Sequence, residues 1–191
     1  DARELILTDN KFREAELDWE ATTNNFKTKF EPEFETSDIL VTQGFVGSNN
    51  GNTTTLGREG SDFTAGIIAY CCDAEDVTIW KDVPGMLNAD PKWFDNTVKL
   101  DQISFREAIE LSYYGASVIH PKTIKPLQNK EIPLYVKSFI DPHEDGTVIQ
   151  SSMISDHLVP SFIFKMNQIL FSFTPKDFSF IVEKNLSDIF D

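Results

Sequence analysis

The chain has 191 residues, which is enough for one full domain or for one domain with part of a second. Its 40% hydrophobic content is typical of globular proteins, and its formal net charge of −14 disfavours nucleic acids and anionic membrane surfaces as partners. No stretch has transmembrane length and no secretory leader opens the sequence, so we expect a cytoplasmic protein.

The cysteines and the two ends of the chain add to this picture. Cys71 and Cys72 are adjacent in an apolar stretch, so we expect small buried side chains in a reducing cytosol rather than a disulfide. The first residue is Asp1 rather than methionine, and the last residues follow an apolar pattern. We therefore expect a piece of a longer protein.

The first half of the chain predicts strands that alternate with helices. The short apolar runs Arg3–Thr8 and Asp38–Thr42 are predicted strands, and the stretch 14–30 between them is a predicted helix. Another helix is predicted from about Ser61 through the cysteines, and Val77–Trp80 is the next predicted strand.

The second half continues the alternation. Ser104 and Glu107 have the spacing of a capping box and predict the start of a helix. A shorter helix is predicted over 122–129, where Pro126 is tolerated only near the first turn, and Leu134–Phe139 is a predicted strand. The fold class predicted from this order is α/β, with an open, mainly parallel sheet sandwiched by helices.

The pattern changes towards the C-terminus. Residues 1–150 are predicted to form one domain, and the polar stretch 151–160 a linker that ends in a proline. Residues 161–191 hold two apolar runs and a helix-like tail, which is too little for an independent core. We expect them to be the truncated start of a smaller α+β domain.

A glycine-rich bend, TTTLGREGSD at residues 53–62, is the first candidate site. Glycines let backbone N–H groups approach a ligand, and the N-terminus of the helix that follows favours an anion. Arg58 can hold a carboxylate or a phosphate through two hydrogen bonds. Asp62 is either an ordinary acidic residue of a first helical turn or a functional carboxylate that orients cations.

The stretch IWKDVPGMLNADPK, residues 79–92, is the second candidate. It is typical of an exposed loop that is rich in turn residues. The functional alternative is a nucleotide site in which Lys81 and Lys92 bind phosphates. None of the common nucleotide-binding or kinase motifs is found in the sequence.

Three long motifs in order, VTQGFVGSNNGNTTTLGREGSDFTA, IWKDVPGMLNADP and YYGASVIHPKTIKPL, resemble aspartokinase. The resemblance spans at least residues 1–150, and the tail after Ser161 resembles the first strand and helix of an ACT regulatory domain. It implies an amino-acid kinase fold and phosphorylation of the β-carboxylate of L-aspartate by ATP, the first step of lysine, threonine and methionine biosynthesis. It also implies magnesium carried by the nucleotide phosphates rather than by the protein, and a homodimer of the full-length parent.

The resemblance also implies roles for individual residues. Arg58 and Asp62 would be catalytic, and Arg58, Glu59, Gly60 and Ser61 would bind the substrate aspartate. The nucleotide would be bound by six further residues: Lys81, Asp82, Leu87, Lys92, Ser117 and Val118.

Four of these positions depart from the commoner family pattern. Glu59 stands where glycine is usual and adds a negative charge beside an anionic substrate. Leu87 replaces a frequent tyrosine, Ser117 a frequent lysine, and Lys92 an arginine, whose planar fork is lost.

The family's K-F-G-G-T-S segment, whose lysine stabilises the transferring phosphoryl group, is not found in this sequence. We therefore expect this chain alone to lack kinase activity. Two alternatives remain: another acyl-phosphate-forming amino-acid kinase, for example one acting on glutamate or acetylglutamate, and a non-catalytic ligand-binding or dimerisation module.

Overall fold

The computed structural model describes residues 1–114, 118–151, 159–164 and 166–169. These residues form an α/β fold, and none of their helices is long and apolar enough to cross a membrane. The helices are α1 (Ala2–Leu5), α2 (Trp19–Asn25), α3 (Gly60–Cys71), α4 (Phe105–Tyr114) and α5 (Pro121–Lys130), with a π-helical turn at Phe26–Phe30 and a 3-10 turn at Glu31–Glu35. The strands are β1 (Val46–Asn49), β2 (Asn52–Thr55), β3 (Val77–Lys81), β4 (Gln102–Ser104), β5 (Leu134–Ser138) and β6 (Thr147–Gln150).

The main sheet has four strands in the order β3-β5-β6-β4. β3 is parallel to β5 and β4 is parallel to β6, whereas β5 and β6 are antiparallel. Two of the three pairings are therefore parallel, which agrees with the predicted fold class. The parallel pair β3-β5 ends at Lys81 and Ser138, so both carboxyl ends open at the same edge of the sheet.

Helix α3 lies between two hydrophobic clusters. Its Ala69 belongs to the larger cluster, which is built on the sheet with α4 and α5. Its Phe63, Ile67 and Cys71 belong to the smaller cluster, which includes α1 and Phe26. A helix that is apolar on most of its surface is typical of such a buried position. Burial is also the main cause that raises the pKa of the Cys72 thiol to about 11.

The start of α4 agrees with the local prediction made for it, whereas the proline inside α5 does not. The Ser104 N–H donates to Glu107 Oε2 at 2.9 Å, and the Glu107 N–H donates to Ser104 Oγ at 3.2 Å, so the predicted capping box is confirmed. Helix α5 begins at Pro121, which leaves Pro126 beyond the first turn, where we did not expect it. Pro126 is buried on the same helix as Ile124 and Leu127, which belong to the larger cluster, although its ring cannot donate the backbone hydrogen bond of a helix interior.

Two predicted strands are wrong. The run Arg3–Thr8 starts as α1, and only Leu7 and Thr8 make isolated bridges, to Ser48 and Leu17. The run Asp38–Thr42 forms no strand, and the side chains of Ile39 and Val41 are 80% and 93% exposed. A strand needs a neighbouring strand to pair with, and none of the strands of the described residues pairs with this segment.

A hairpin that we did not predict precedes α3. Strands β1 and β2 are antiparallel, and Asn50 and Gly51 form the turn between them with φ angles of 47° and 80°. Positive φ at both positions is the reason for the Asn-Gly preference of tight hairpins, so the sequence did carry this signal. The predicted linker and second domain lie mostly outside the described residues, apart from 151, 159–164 and 166–169, and those boundaries remain a prediction.

Candidate functional site

The glycine-rich bend joins β2 to α3 and is held at both ends. The Leu56 N–H donates to the Phe45 carbonyl oxygen at 2.9 Å, and the Leu56 carbonyl oxygen accepts from Lys122 Nζ at 3.0 Å. Gly57 has a φ of 74°, a left-handed conformation that favours glycine, and its carbonyl oxygen accepts from the Gly60 N–H at 3.1 Å. The bend is thus a fixed connection rather than a loose loop.

The start of α3 packs closely against the loop at Gly44 and Phe45. A Cβ atom added to Gly60 would lie 2.7 Å from the Phe45 ring, and one added to Gly44 would lie 3.1 Å from the Ser61 Cα atom. The Thr64 hydroxyl accepts from the Phe45 N–H and donates to the Gly60 carbonyl oxygen, both at 2.9 Å. Glycine at position 60 is therefore needed for this close packing.

Asp62 and Lys81 meet where α3 begins and β3 ends. Lys81 Nζ lies 2.6 Å from Asp62 Oδ2, and the two side chains are only 23% and 14% exposed. Within the described residues, Oδ2 makes no hydrogen bond of good geometry, so the contact is ionic rather than directional. Partial burial weakens screening by water, which makes this attraction stronger than that of an ordinary surface pair.

The loop after β3 forms a second hairpin, which we call the 86–100 hairpin. The Leu100 N–H donates to the Met86 carbonyl oxygen at 2.8 Å, and the Asn88 N–H donates to the Val98 carbonyl oxygen at 2.9 Å. At its base the Thr147 hydroxyl accepts from the Met86 N–H at 2.8 Å and donates to the Leu100 carbonyl oxygen at 2.5 Å. Thr147 is the first residue of β6, so this hydroxyl ties the hairpin to the sheet.

The predicted nucleotide contacts are spread along this region. Asp82 is exposed just after β3, and Leu87 is half-buried in the 86–100 hairpin. Lys92 lies at the tip with an exposed side chain that forms no ion pair with the described residues, and its N–H donates to Asp90 Oδ1 at 2.9 Å. Val118 packs against the larger cluster, and Ser117 lies outside the described residues.

The predicted substrate contacts lie on the bend itself. The Arg58 side chain is 72% exposed, and its Nε lies 3.9 Å from Glu59 Oε1. Glu59 has a left-handed φ of 52°, which explains why glycine is the usual residue there. Ser61 is exposed next to Asp62. The extra carboxylate of Glu59 therefore faces the guanidinium that was predicted to hold the substrate.

Sequence reasoning missed four residues that hold these elements: Thr64, Asn88, Lys122 and Thr147. Each acts through a contact far away in sequence, and no local pattern gives such a contact. His120 precedes the first residue of α5 as its N-cap, where its Nδ1 accepts from the Lys122 N–H at 3.2 Å, so its role here is structural.

The sequence of the chain was compared with those of known proteins. The model of the amino acid kinase family matches residues 2–138. The chain is 37% identical over 171 residues to lysine-sensitive aspartokinase 3 of Escherichia coli, and this alignment covers 89% of the chain and 38% of the relative. It is 36% identical over 154 residues to the aspartokinase of Chlamydia muridarum, with 80% of the chain and 35% of the relative covered.

A solved structure of an aspartokinase is also similar to this chain. The crystal structure of E. coli aspartokinase III in complex with aspartate and ADP superimposes with a TM-score of 0.76 at 39% identity. It covers 80% of this chain and 34% of that chain. The chain therefore spans little more than a third of the length of the relatives that it matches.

Proposed function

Because the chain belongs to the amino acid kinase family, we propose that it is a fragment of an aspartokinase, the C-terminal part of the kinase domain followed by the start of an ACT-like domain. The parent enzyme transfers the γ-phosphoryl group of ATP to the β-carboxylate of L-aspartate, which opens the biosynthesis of lysine, threonine and methionine. Residues 1–150 belong to the kinase domain, 151–160 to a linker, and 161–191 to the start of an ACT-like domain. The observation that carries the proposal is the ion pair of Asp62 and Lys81 at the start of α3.

This ion pair suits phosphoryl transfer for an electrostatic reason. Negative charge is spread over the transferring group, so the site must supply cations and hold them in place. Lys81 provides such a cation, and Asp62 keeps it at the N-terminus of α3 through a contact of 2.6 Å. An ammonium group has three donors, so Lys81 can keep this contact and also donate to phosphate oxygens.

The aspartate would lie along the bend. Arg58 would hold a substrate carboxylate, with the residues from Glu59 to Ser61 beside it. The attacking carboxylate is ionised near neutral pH and needs no general base, because its oxygen already carries the electron pair that forms the bond to phosphorus. The bond between that phosphorus and the bridging oxygen of ADP breaks, and aspartyl phosphate and ADP are formed.

ATP with magnesium would be bound by the region after β3. Lys81 and Lys92 would contact its phosphates, and Asp82, Leu87, Ser117 and Val118 would contact the rest of the nucleotide. Lys92 is exposed and forms no ion pair with the described residues, so its ammonium group is available to bind a phosphate. Magnesium, carried by the phosphates, supplies charge neutralisation.

The chain by itself is proposed to be inactive. The family's K-F-G-G-T-S segment is not found among these 191 residues, and its lysine would be a second cation at the transferring group. The loss of one such contact raises a barrier by about 3 kcal/mol, or more than a hundredfold in rate. Formation of aspartyl phosphate by the purified chain, abolished in Asp62→Asn, would contradict this.

Calorimetric titration tests the proposal. Mg-ADP and then L-aspartate are titrated into the chain, into Lys81→Met and into Lys125→Met, a control that removes an exposed lysine of α5. We expect binding of Mg-ADP that weakens about tenfold or more in Lys81→Met and is unchanged in the control. If Lys81→Met binds Mg-ADP as tightly as the unaltered chain, Lys81 does not serve the nucleotide and the proposed site is wrong.

A further inference from the structure

Asn88 makes four hydrogen bonds although it lies in a connecting loop. Its N–H donates to the Val98 carbonyl oxygen at 2.9 Å, and its Oδ1 accepts from the Val98 N–H at 2.7 Å. Its Nδ2 donates to the Pro160 carbonyl oxygen at 3.2 Å, and its own carbonyl oxygen accepts from the Phe162 N–H at 2.7 Å. The residue is only 7% exposed.

The side chain of Asn88 replaces a backbone group of the ladder. Two residues that face each other in a hydrogen-bonded antiparallel pair normally exchange both backbone bonds. Here the Val98 N–H goes to Oδ1 instead, which leaves the carbonyl oxygen of Asn88 to accept from Phe162. The side chain at position 88 must accept from the Val98 N–H and also donate to the Pro160 carbonyl oxygen. The amide group of asparagine carries both an acceptor and a donor, whereas the ionised carboxylate of aspartate, which has the same length, only accepts.

Two aromatic contacts add to this junction. The rings of Phe94 and Phe162 stack with centroids 5.9 Å apart, and those of Trp93 and Phe164 lie 5.1 Å apart. Trp93 and Phe94 follow Lys92 directly at the tip of the 86–100 hairpin. Residues 159–164, which we call the strap, therefore contact the hairpin beside Lys92.

We infer that Asn88 is a positioning residue that fastens the strap to the 86–100 hairpin and thereby fixes the loop that carries Lys92. Lys92 itself stays exposed, so the strap holds the loop without covering it. Through this junction the strap acts on the nucleotide end of the site. The nucleotide part of this inference rests on the proposed function, whereas the fastening does not.

The fastening is tested without any ligand. Amide exchange is measured by NMR for Asn88→Asp, which keeps the acceptor for Val98 and loses the donor to Pro160. We expect exchange of the Phe162 amide to accelerate about tenfold while that of Val98 changes little. Equal acceleration at both amides would mean a merely structural role, and no acceleration at Phe162 would mean that the strap does not depend on Asn88.

A second pair of variants keeps the test independent of Asn88. The chain is labelled with 5-fluorotryptophan, and the Trp93 resonance is assigned with Trp93→Phe. In the double variant Phe162→Ala, Phe164→Ala we expect this resonance to shift and amide exchange at 89–97 to accelerate. Phe34→Ala, which removes an exposed ring that pairs with Phe30 at 5.6 Å, should change neither. An unmoved Trp93 resonance in the double variant would overturn the strap.

Titration with Mg-ADP separates this inference from the proposed function. If the unaltered chain binds Mg-ADP, the double variant and Asn88→Asp should bind it about threefold to tenfold more weakly. Equal affinity would contradict the positioning role. If the unaltered chain does not bind Mg-ADP but the exchange results are as expected, the fastening stands and the proposed nucleotide site fails.

Discussion

Lys122 donates from its Nζ to the carbonyl oxygen of Leu56 at 3.0 Å, across 66 residues of sequence. The same ammonium lies 5.6 Å from the centre of the Phe63 ring. Lys122, in the first turn of α5, therefore contacts both the glycine-rich bend at Leu56 and the first turn of α3 at Phe63.

Replacing Lys122 should loosen the bend. In Lys122→Met the Leu56 carbonyl oxygen loses its charged donor, a contact worth about 1.5–3 kcal/mol. We expect faster amide exchange at 57–60 and weaker binding of L-aspartate, measured by NMR and calorimetry. Lys125→Met, three residues further along the same helix and exposed, should leave both unchanged. If the two variants behave alike, Lys122 does not position the bend.

The Asp62–Lys81 pair should show coupling in a double-mutant cycle. Lys81→Met leaves the mostly buried carboxylate of Asp62 without its cation, at a cost of about 1–3 kcal/mol in the free energy of unfolding. Asp62→Asn together with Lys81→Met should cost less than the sum of the two single changes. Urea unfolding of the four proteins measures this, and strict additivity would show that the two charges do not interact.

Two glutamates with left-handed backbones should both become more stable as glycine. Glu59 and Glu131 have φ angles of 52° and 56°, and Glu131 is exposed at the end of α5. Each change to glycine should stabilise the fold by about 0.5–1 kcal/mol, because the relief of left-handed strain outweighs the extra freedom that the unfolded chain gains. Thermal unfolding measures the gain.

Only Glu59→Gly should also change ligand binding. It removes the carboxylate that lies 3.9 Å from Arg58, so L-aspartate should bind more tightly. Glu131→Gly is the matched control for the backbone effect. Equal affinity for L-aspartate in both variants would show that the Glu59 charge does not reach the substrate.

The Thr147 hydroxyl should be needed at the base of the 86–100 hairpin. Thr147→Val removes the partner of both the Met86 N–H and the Leu100 carbonyl oxygen, so we expect a loss of about 2–4 kcal/mol in the free energy of unfolding. Thr147→Ser keeps the hydroxyl and should cost about 1 kcal/mol. Chemical denaturation compares the two, and a valine variant as stable as the serine variant would contradict this role.

Local patterns predicted the parts of the fold that depend on neighbouring residues. The capping box of Ser104 and Glu107, the helix that starts at the bend and the strand at Val77–Trp80 all follow from residues a few positions apart. The Asn50-Gly51 turn was equally local, and the sequence carried its signal although we did not predict the hairpin. The candidate bend was found in the same way, from its glycines and its charges.

The predictions failed where the local conformational preference of the residues was overridden by tertiary packing or strand pairing. The β-branched residues of Asp38–Thr42 favour a strand, but none of the strands of the described residues pairs with this segment. Pro126 lies inside α5 although it cannot complete the backbone ladder, and it is buried there on the same helix as Ile124 and Leu127 of the larger cluster. Propensity is a weak guide in both places, since packing and pairing contribute more free energy.

The sequence by itself determined that this chain has an α/β fold, where its glycine-rich bend begins, and which charged residues lie on or near that bend. Only the tertiary structure decided that Asp62 meets Lys81, that Lys122 holds Leu56, and that Asn88 joins the hairpin to residues 159–164. The physical reason is the separation in sequence of the residues that make each contact. Caps and turns are closed by hydrogen bonds between residues close in sequence, whereas these contacts exist only after strands and helices have packed against one another.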